Sequence, residues 1–134
     1  MLNLLVAAGH VRQLVDEVCD AYGITQAQFN ALRILRGAHP GGYPRGEIAS
    51  RLVERAPDVT RLIDRLERRS LVERARSAAD RRLSITRITR AGQDLLRRMD
   101  PKIAEIQKRF ATSVPVKDLR ELSRICEQVY GSEV

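Results

Sequence analysis

The chain of 134 residues has the length of one ordinary domain, long enough to bury a core without covalent staples. An apolar content of 43% beside 31% charged residues describes a folded soluble protein, and no run nears the ~18 apolar residues of a membrane span. The net charge of +7 is concentrated: residues 45–100 hold fifteen basic and nine acidic residues, residues 1–44 three of each, and residues 101–134 six and five.

A basic centre between neutral ends is the footprint of a nucleic-acid reader, with a merely solvated charged surface as the bland alternative. Twenty-one of the 24 basic residues are arginine. That choice suits forked contacts to phosphates and guanine edges, and it is equally an outcome of genome base composition. The N-terminus lacks a charged n-region and a secretion signal, so a cytoplasmic location is expected. Cys19 and Cys126 lie far apart in no metal-binding spacing, which excludes a disulfide scaffold.

In chain order, Leu4, Ala7, Val11, Leu14 and Val18 recur in steps of three and four and predict a helix over 2–21. Their spacing is a heptad seam, suited to packing against another helix. Gly23 is the expected C-cap. Thr25 with Gln28 forms a capping box for a second helix, whose Phe29, Leu32, Ile34 and Leu35 face inward and which ends before Gly37. After a Gly/Pro-rich loop, Pro44 opens a short third helix with Ile48, Leu52 and Val53 as its buried face. Pro57 opens a fourth, over 57–69, in which Val59, Leu62, Ile63 and Leu66 fill the i, i+3, i+4, i+7 template.

Extended runs at 71–76 and 82–88 flank the polar loop 77–81 and predict a hairpin, with Ile85 and Ile88 on opposite faces. Thr89 caps a long helix that Pro101 should kink or divide. Ser113-Val-Pro115 opens a last helix with a seam of Leu119, Leu122, Cys126 and Val129. Two helices joined by a short break, the second amphipathic and basic, then a hairpin, make a winged helix-turn-helix. The expected fold is therefore mainly α with a small β-hairpin wing, and terminal helices that form a dimerisation region through Leu4, Val11, Leu14, Leu119, Leu122 and Val129. Packing of those seams within one chain is the alternative.

On a helical wheel the fourth helix turns Arg61, Asp64 and Arg68 away from its apolar side, with Thr60 and Arg65 on the flanks. Such a face fits the major groove, where an Arg fork matches guanine O6 and N7. Asp58, Thr60, Arg61 and Arg65 lie nearest the helix start and so nearest the base edges, ahead of Arg68 and Arg69. Asp58 could instead serve the helix dipole, and Asp64 is expected to pair with Arg61 or Arg68. At the hairpin tip, Arg81 and Arg82 suit a minor groove, and Asp80 is expected to brace a neighbouring Arg by a charge-assisted bond.

Ile48-Ala-Ser-Arg-Leu52, Val59-Thr-Arg-Leu-Ile-Asp-Arg-Leu-Glu67, Leu71-Val-Glu-Arg74, Asp80-Arg-Arg82 and Ile88-Thr-Arg-Ala-Gly92 together resemble the MarR family of bacterial transcription regulators, over about residues 24–96. Ser70 stands where a Gly often ends the family's recognition helix, and Thr86 where a Val is common. The resemblance implies one domain over 1–134, with a DNA-binding lobe at 24–90 and a helical dimerisation region from 1–22 and 91–134. It implies a homodimer on a pseudo-palindromic operator in double-stranded DNA, with Thr60, Arg61 and Arg65 on the recognition helix and Asp80 and Arg82 in the wing's D-x-R. It also implies a small phenolic or lipophilic effector or, in other members, oxidant sensing through a Cys near the first helix, where Cys19 stands. Packing is the alternative for Cys19. His10 and His39 are isolated, so no metal and no cofactor are expected. Gly41-Gly-Tyr-Pro-Arg-Gly46 lacks a P-loop ending and no catalytic triad stands out, so an enzyme is not expected. The rival readings are an architectural DNA binder without sequence preference and a winged-helix protein-interaction module.

Overall fold

The computed structural model describes residues 1–56 and 58–131. It divides into two compact units, Met1–Asp100 and Pro101–Val134. Pro57, expected to open the fourth helix, lies outside the described residues.

In the first unit, α1 (Leu2–Ala21) has Tyr22 as its C-cap, one residue before the expected Gly23. Gly23 takes φ +70°, its N–H donates to the Asp20 carbonyl and the Ile24 N–H donates to the Cys19 carbonyl. These paired bonds close the last turn, and Ile24 and Cys19 are both buried. α2 (Gln26–Gly37) begins at the capping box expected of Thr25 and Gln28, with both reciprocal bonds made at 3.1 and 2.9 Å. Its Phe29, Ala31, Leu32 and Leu35 are buried, and it packs against α1, α3 and α4.

The next element is absent from the sequence expectation. Tyr43–Pro44 form a short strand, β1, and Pro44 stands before α3 (Arg45–Arg51) rather than inside it. β1 pairs antiparallel with β3 (Ser84–Ile88), Tyr43 opposite Thr86 and Pro44 opposite Ile85. A proline has no N–H for a second ladder, and β1 is an edge strand. Gly42 makes this return feasible: it takes φ +75°, and a Cβ there would lie 2.2 Å from the Thr86 carbonyl oxygen.

Only part of the expected third-helix face is buried. Ile48 is, Leu52 is half-buried just past the helix end, and Val53 is 82% exposed. The helix stops at Arg51, and the extended backbone of Leu52, ψ 135°, turns Val53 out of the helical period.

α4 (Val59–Arg68) buries Leu62, Ile63 and Leu66, with Val59 half-buried. The hairpin strand β2 (Val72–Arg76) completes a sheet of order β1-β3-β2, in the register Val72 opposite Ile88 and Arg76 opposite Ser84. Ile85 and Ile88 do fall on opposite faces, and Thr86 shares the buried face with Ile88. Valine and threonine have nearly the same shape, so the threonine at this position fits a buried β site. Thr89 caps α5 (Arg90–Ser113), with its hydroxyl accepting from the Gly92 N–H. Leu95, Leu96 and Met99 are buried in the first unit.

Pro101 does not divide α5, which is continuous from Arg90 to Ser113 and crosses the boundary between the two units. In the second unit, α6 (Val116–Tyr130) has no fully buried residue. Leu119 and Cys126 are half-buried, while Leu122, Ile125 and Val129 are exposed. On α1, Val11 and Leu14 are half-buried, and Leu2, Leu4, Leu5 and Val6 are exposed. Among the described residues, no helix is long and apolar enough to cross a membrane.

Candidate nucleic-acid interface

A short loop leaves α3 and α4 in contact, with the apolar side of α4 closed against α2, α3 and β2. What remains outward is the face that the wheel assigns to arginines. Asp58, Thr60, Arg61, Asp64, Arg65 and Arg68 line one shallow concavity on α4. Six of the residues singled out at this helix, all but Arg69, therefore share a single surface.

Each has a definable local role. The Asp58 carboxylate accepts the Arg61 backbone N–H at 2.9 Å and lies 3.8 Å from the Arg61 guanidinium. Asp58 is thus the N-cap of α4. The Thr60 hydroxyl accepts from Arg45 at 3.2 Å, which brings the first residue of α3 to the same surface. Arg61, Arg65 and Arg68 are exposed. Arg69 points elsewhere, donating to the Gly23 carbonyl oxygen at 2.6 Å and fastening the end of α4 to the turn after α1.

Asp64 departs from expectation. Its carboxylate pairs with neither Arg61 nor Arg68 but with Arg74 on β2, at 2.8 Å. Arg74 also donates to Glu67, and these hydrogen bonds, Glu67 first, hold its guanidinium even more firmly protonated than usual. A helix wheel shows only neighbours on the same helix, whereas this partner arrives through tertiary packing.

The wing carries the second set of arginines. Its turn is held by backbone bonds, with Ser77 N–H to the Leu83 carbonyl at 2.9 Å and Leu83 N–H to the Asp80 carbonyl at 3.0 Å. Asp80 does brace an arginine, but through the Arg82 backbone N–H at 2.9 Å rather than through a guanidinium. The aspartate oxygen reaches the amide two residues on within its own turn, so it orders the loop and leaves the Arg82 side chain outside. Arg76 donates to the Arg81 carbonyl oxygen at 2.8 Å and stiffens the tip from the strand side. Arg81 and Arg82 are both exposed. A second concavity runs from α3 and α4 to the wing, lined by Arg45, Thr60, Ile63, Arg74, Arg82 and Ser84 among others. Thr60 belongs to both hollows, so helix and wing arginines border one connected surface.

Arg45, Arg74 and Arg76 were not singled out from the sequence. Nothing in their local spacing distinguishes them from other surface arginines, because their partners are brought close only by the fold.

Cys19 does not have the surroundings of an oxidation sensor. It is 1% exposed, and burial, with smaller contributions from Asp16 and Asp20, pushes its thiol up to about 11. Reactive thiols need the opposite shift.

The MarR family model matches residues 24–84, from just before α2 to the first residue of β3. A MarR transcription factor from Planctomyces limnophilus is 35% identical, with 95% of this chain and 92% of that one covered at a TM-score of 0.72. The transcriptional repressor CouR, bound to a 23-mer DNA duplex, is 28% identical, with 95% and 89% covered at a TM-score of 0.83. The HTH-type transcriptional regulator MhqR of Bacillus subtilis is 30% identical over 80 residues, which are 60% of this chain; the chain spans about half, 54%, of that curated relative. Both fold and family are those of transcription regulators rather than enzymes. The chain belongs to the MarR family of winged-helix transcription regulators.

Proposed function

We propose that the chain is a sequence-specific reader of double-stranded DNA that represses transcription as a homodimer on a pseudo-palindromic operator. The single observation that carries this reading is the connected surface on which Arg61, Arg65 and Arg68 of α4 stand exposed beside Arg82 of the wing. One helix fits the major groove and a projecting hairpin fits the flanking minor groove. CouR, a relative at 28% identity, is bound to a DNA duplex, which supports duplex DNA as the partner here. In this reading the lobe at 24–90 meets DNA and the segments 1–22 and 91–134 pair with a second copy.

The dimer rests on the apolar side chains left in water. Leu2, Leu4, Leu5 and Val6 on α1, and Leu122, Ile125 and Val129 on α6, are each at least 44% exposed. Patches of this kind mark association surfaces rather than free monomer faces. Work on a genome puts the protein in the cytoplasm. Release from the operator falls to a small aromatic or lipophilic effector, as the family resemblance implies.

The test is selection and sequencing of DNA fragments bound by the purified chain at physiological salt, since low salt lets almost any basic protein bind. Recovery of an inverted repeat with half-sites roughly one helical turn apart is the expected result. Binding without an enriched sequence would favour an architectural role, and absence of binding an interaction module. Sedimentation should give a dimer at micromolar concentration; a monomer would remove the two-half-site geometry.

A further inference from the structure

Two carboxylates stand one helical turn apart on α4, Asp64 and Glu67, beside arginines that must approach phosphates. Both are taken up by one side chain from the wing. Arg74 sits in mid-strand on β2, opposite Thr86 of β3, so the ladder holds its backbone. Its guanidinium lies 2.8 Å from Asp64 and also bonds Glu67. Two residues on, Arg76 belongs to the same face of the strand by the two-residue period, and it donates to the Arg81 carbonyl at the tip. One face of β2 therefore links the reading helix, at one end, to the wing arginines at the other.

We propose that Arg74 is a positioning residue that sets the spacing between recognition helix and wing, and with it the DNA sequence preference, without touching DNA. The inference rests on the DNA-reading function proposed above. Charge argues for it. Arg74 with Asp64 and Glu67 sums to −1, so the cluster has no surplus positive charge to offer a phosphate. Geometry argues for it as well, because Nε and Nη2 of Arg74 are both engaged by carboxylates. A planar fork held by two acids fixes direction as well as distance, which a lysine could not do.

The test compares affinity for an operator fragment recovered by selection with affinity for a random duplex, each across a salt series. The variants are Arg74→Lys and the neutral triple Arg74→Met/Asp64→Asn/Glu67→Gln, which removes the clasp without leaving bare carboxylates near DNA. Exposed ion pairs contribute little to stability, so both should fold. The expected result is a fall of about tenfold in the operator-to-random ratio for the triple variant, a smaller fall for Arg74→Lys, and a salt slope equal to that of wild type. A salt slope lowered by about one contact in the triple variant would make Arg74 a phosphate ligand and overturn the proposal. An undiminished ratio would overturn it too. A wild-type chain with no preference for any fragment would overturn both this inference and the function on which it rests.

Discussion

The Thr89 hydroxyl donates to the Ser70 carbonyl oxygen at 2.6 Å and accepts the Gly92 N–H at 3.1 Å, so one side chain fastens the turn after α4 to the start of α5. The Thr89 N–H adds a bond to the Leu71 carbonyl at 3.1 Å. Gly92 lets the two backbones meet, since a Cβ there would lie 2.3 Å from that same Leu71 oxygen. Thr89→Val keeps the shape and removes both hydroxyl bonds. It should cost about 1–2 kcal/mol and lower the thermal midpoint by roughly 3–8 °C. Thr89→Ser should keep most of the stability, and equal losses in the two variants would contradict the hydroxyl's role.

Ser70 itself holds φ +58°, the left-handed region, at the place where the family often has glycine. A side chain there crowds its own carbonyl, a strain of about 1 kcal/mol that glycine escapes. Ser70→Gly should therefore raise stability by about 0.5–1 kcal/mol, measured by urea unfolding, whereas Ser70→Val should lower it. A lower midpoint for the glycine variant would show that this backbone is not strained.

Arg61→Ala and Arg65→Ala should each weaken operator binding by about 1–3 kcal/mol and relax the base preference at their own positions. Arg82→Ala should weaken binding most where the flanks are A·T-rich, because a narrow minor groove holds the strongest negative potential. Asp58→Asn keeps an oxygen for the Arg61 N–H and should leave base preference unchanged, as expected of a cap and not of a reader. Unchanged affinity in both helix variants would remove α4 from the reading role.

The elements that sequence showed best are those with their own internal period or local caps. Val59, Leu62, Ile63 and Leu66 complete a helical template, and Thr25 with Gln28 announces a helix start within four residues. β1 could not be read this way: two residues have no period, and Tyr43 finds its partner at Thr86, about a third of the chain away. Val53 misled because apolar character says nothing of where a helix stops, and the turn at Leu52 put it in water. The arginine face of α4 was legible because its exposure follows from burial of the opposite side of the same helix. The clasp on Asp64 was not, because its donor comes from a strand that only tertiary packing brings alongside.

Cys19 supplies a pH test with a definite sign. Burial, then Asp16 and Asp20, raises its thiol from the ordinary 9.0 to about 11 in the folded chain. A group whose folded pKa is raised contributes stability that is fully present below the unfolded value and lost as pH climbs through the folded one. Between about pH 9 and 11 the unfolded chain therefore sheds this proton first, and wild type should lose roughly 2–3 kcal/mol that a Cys19→Ala variant does not lose. Chemical labelling reads the same burial at lower pH. A thiol-alkylating reagent at pH 8 should leave Cys19, which is 1% exposed, unmodified in the folded chain and modify it once urea unfolds the chain. Rapid modification of Cys19 in the folded chain, located by peptide mass mapping, would mean that its cover opens readily and would return it to the candidates for an oxidation sensor.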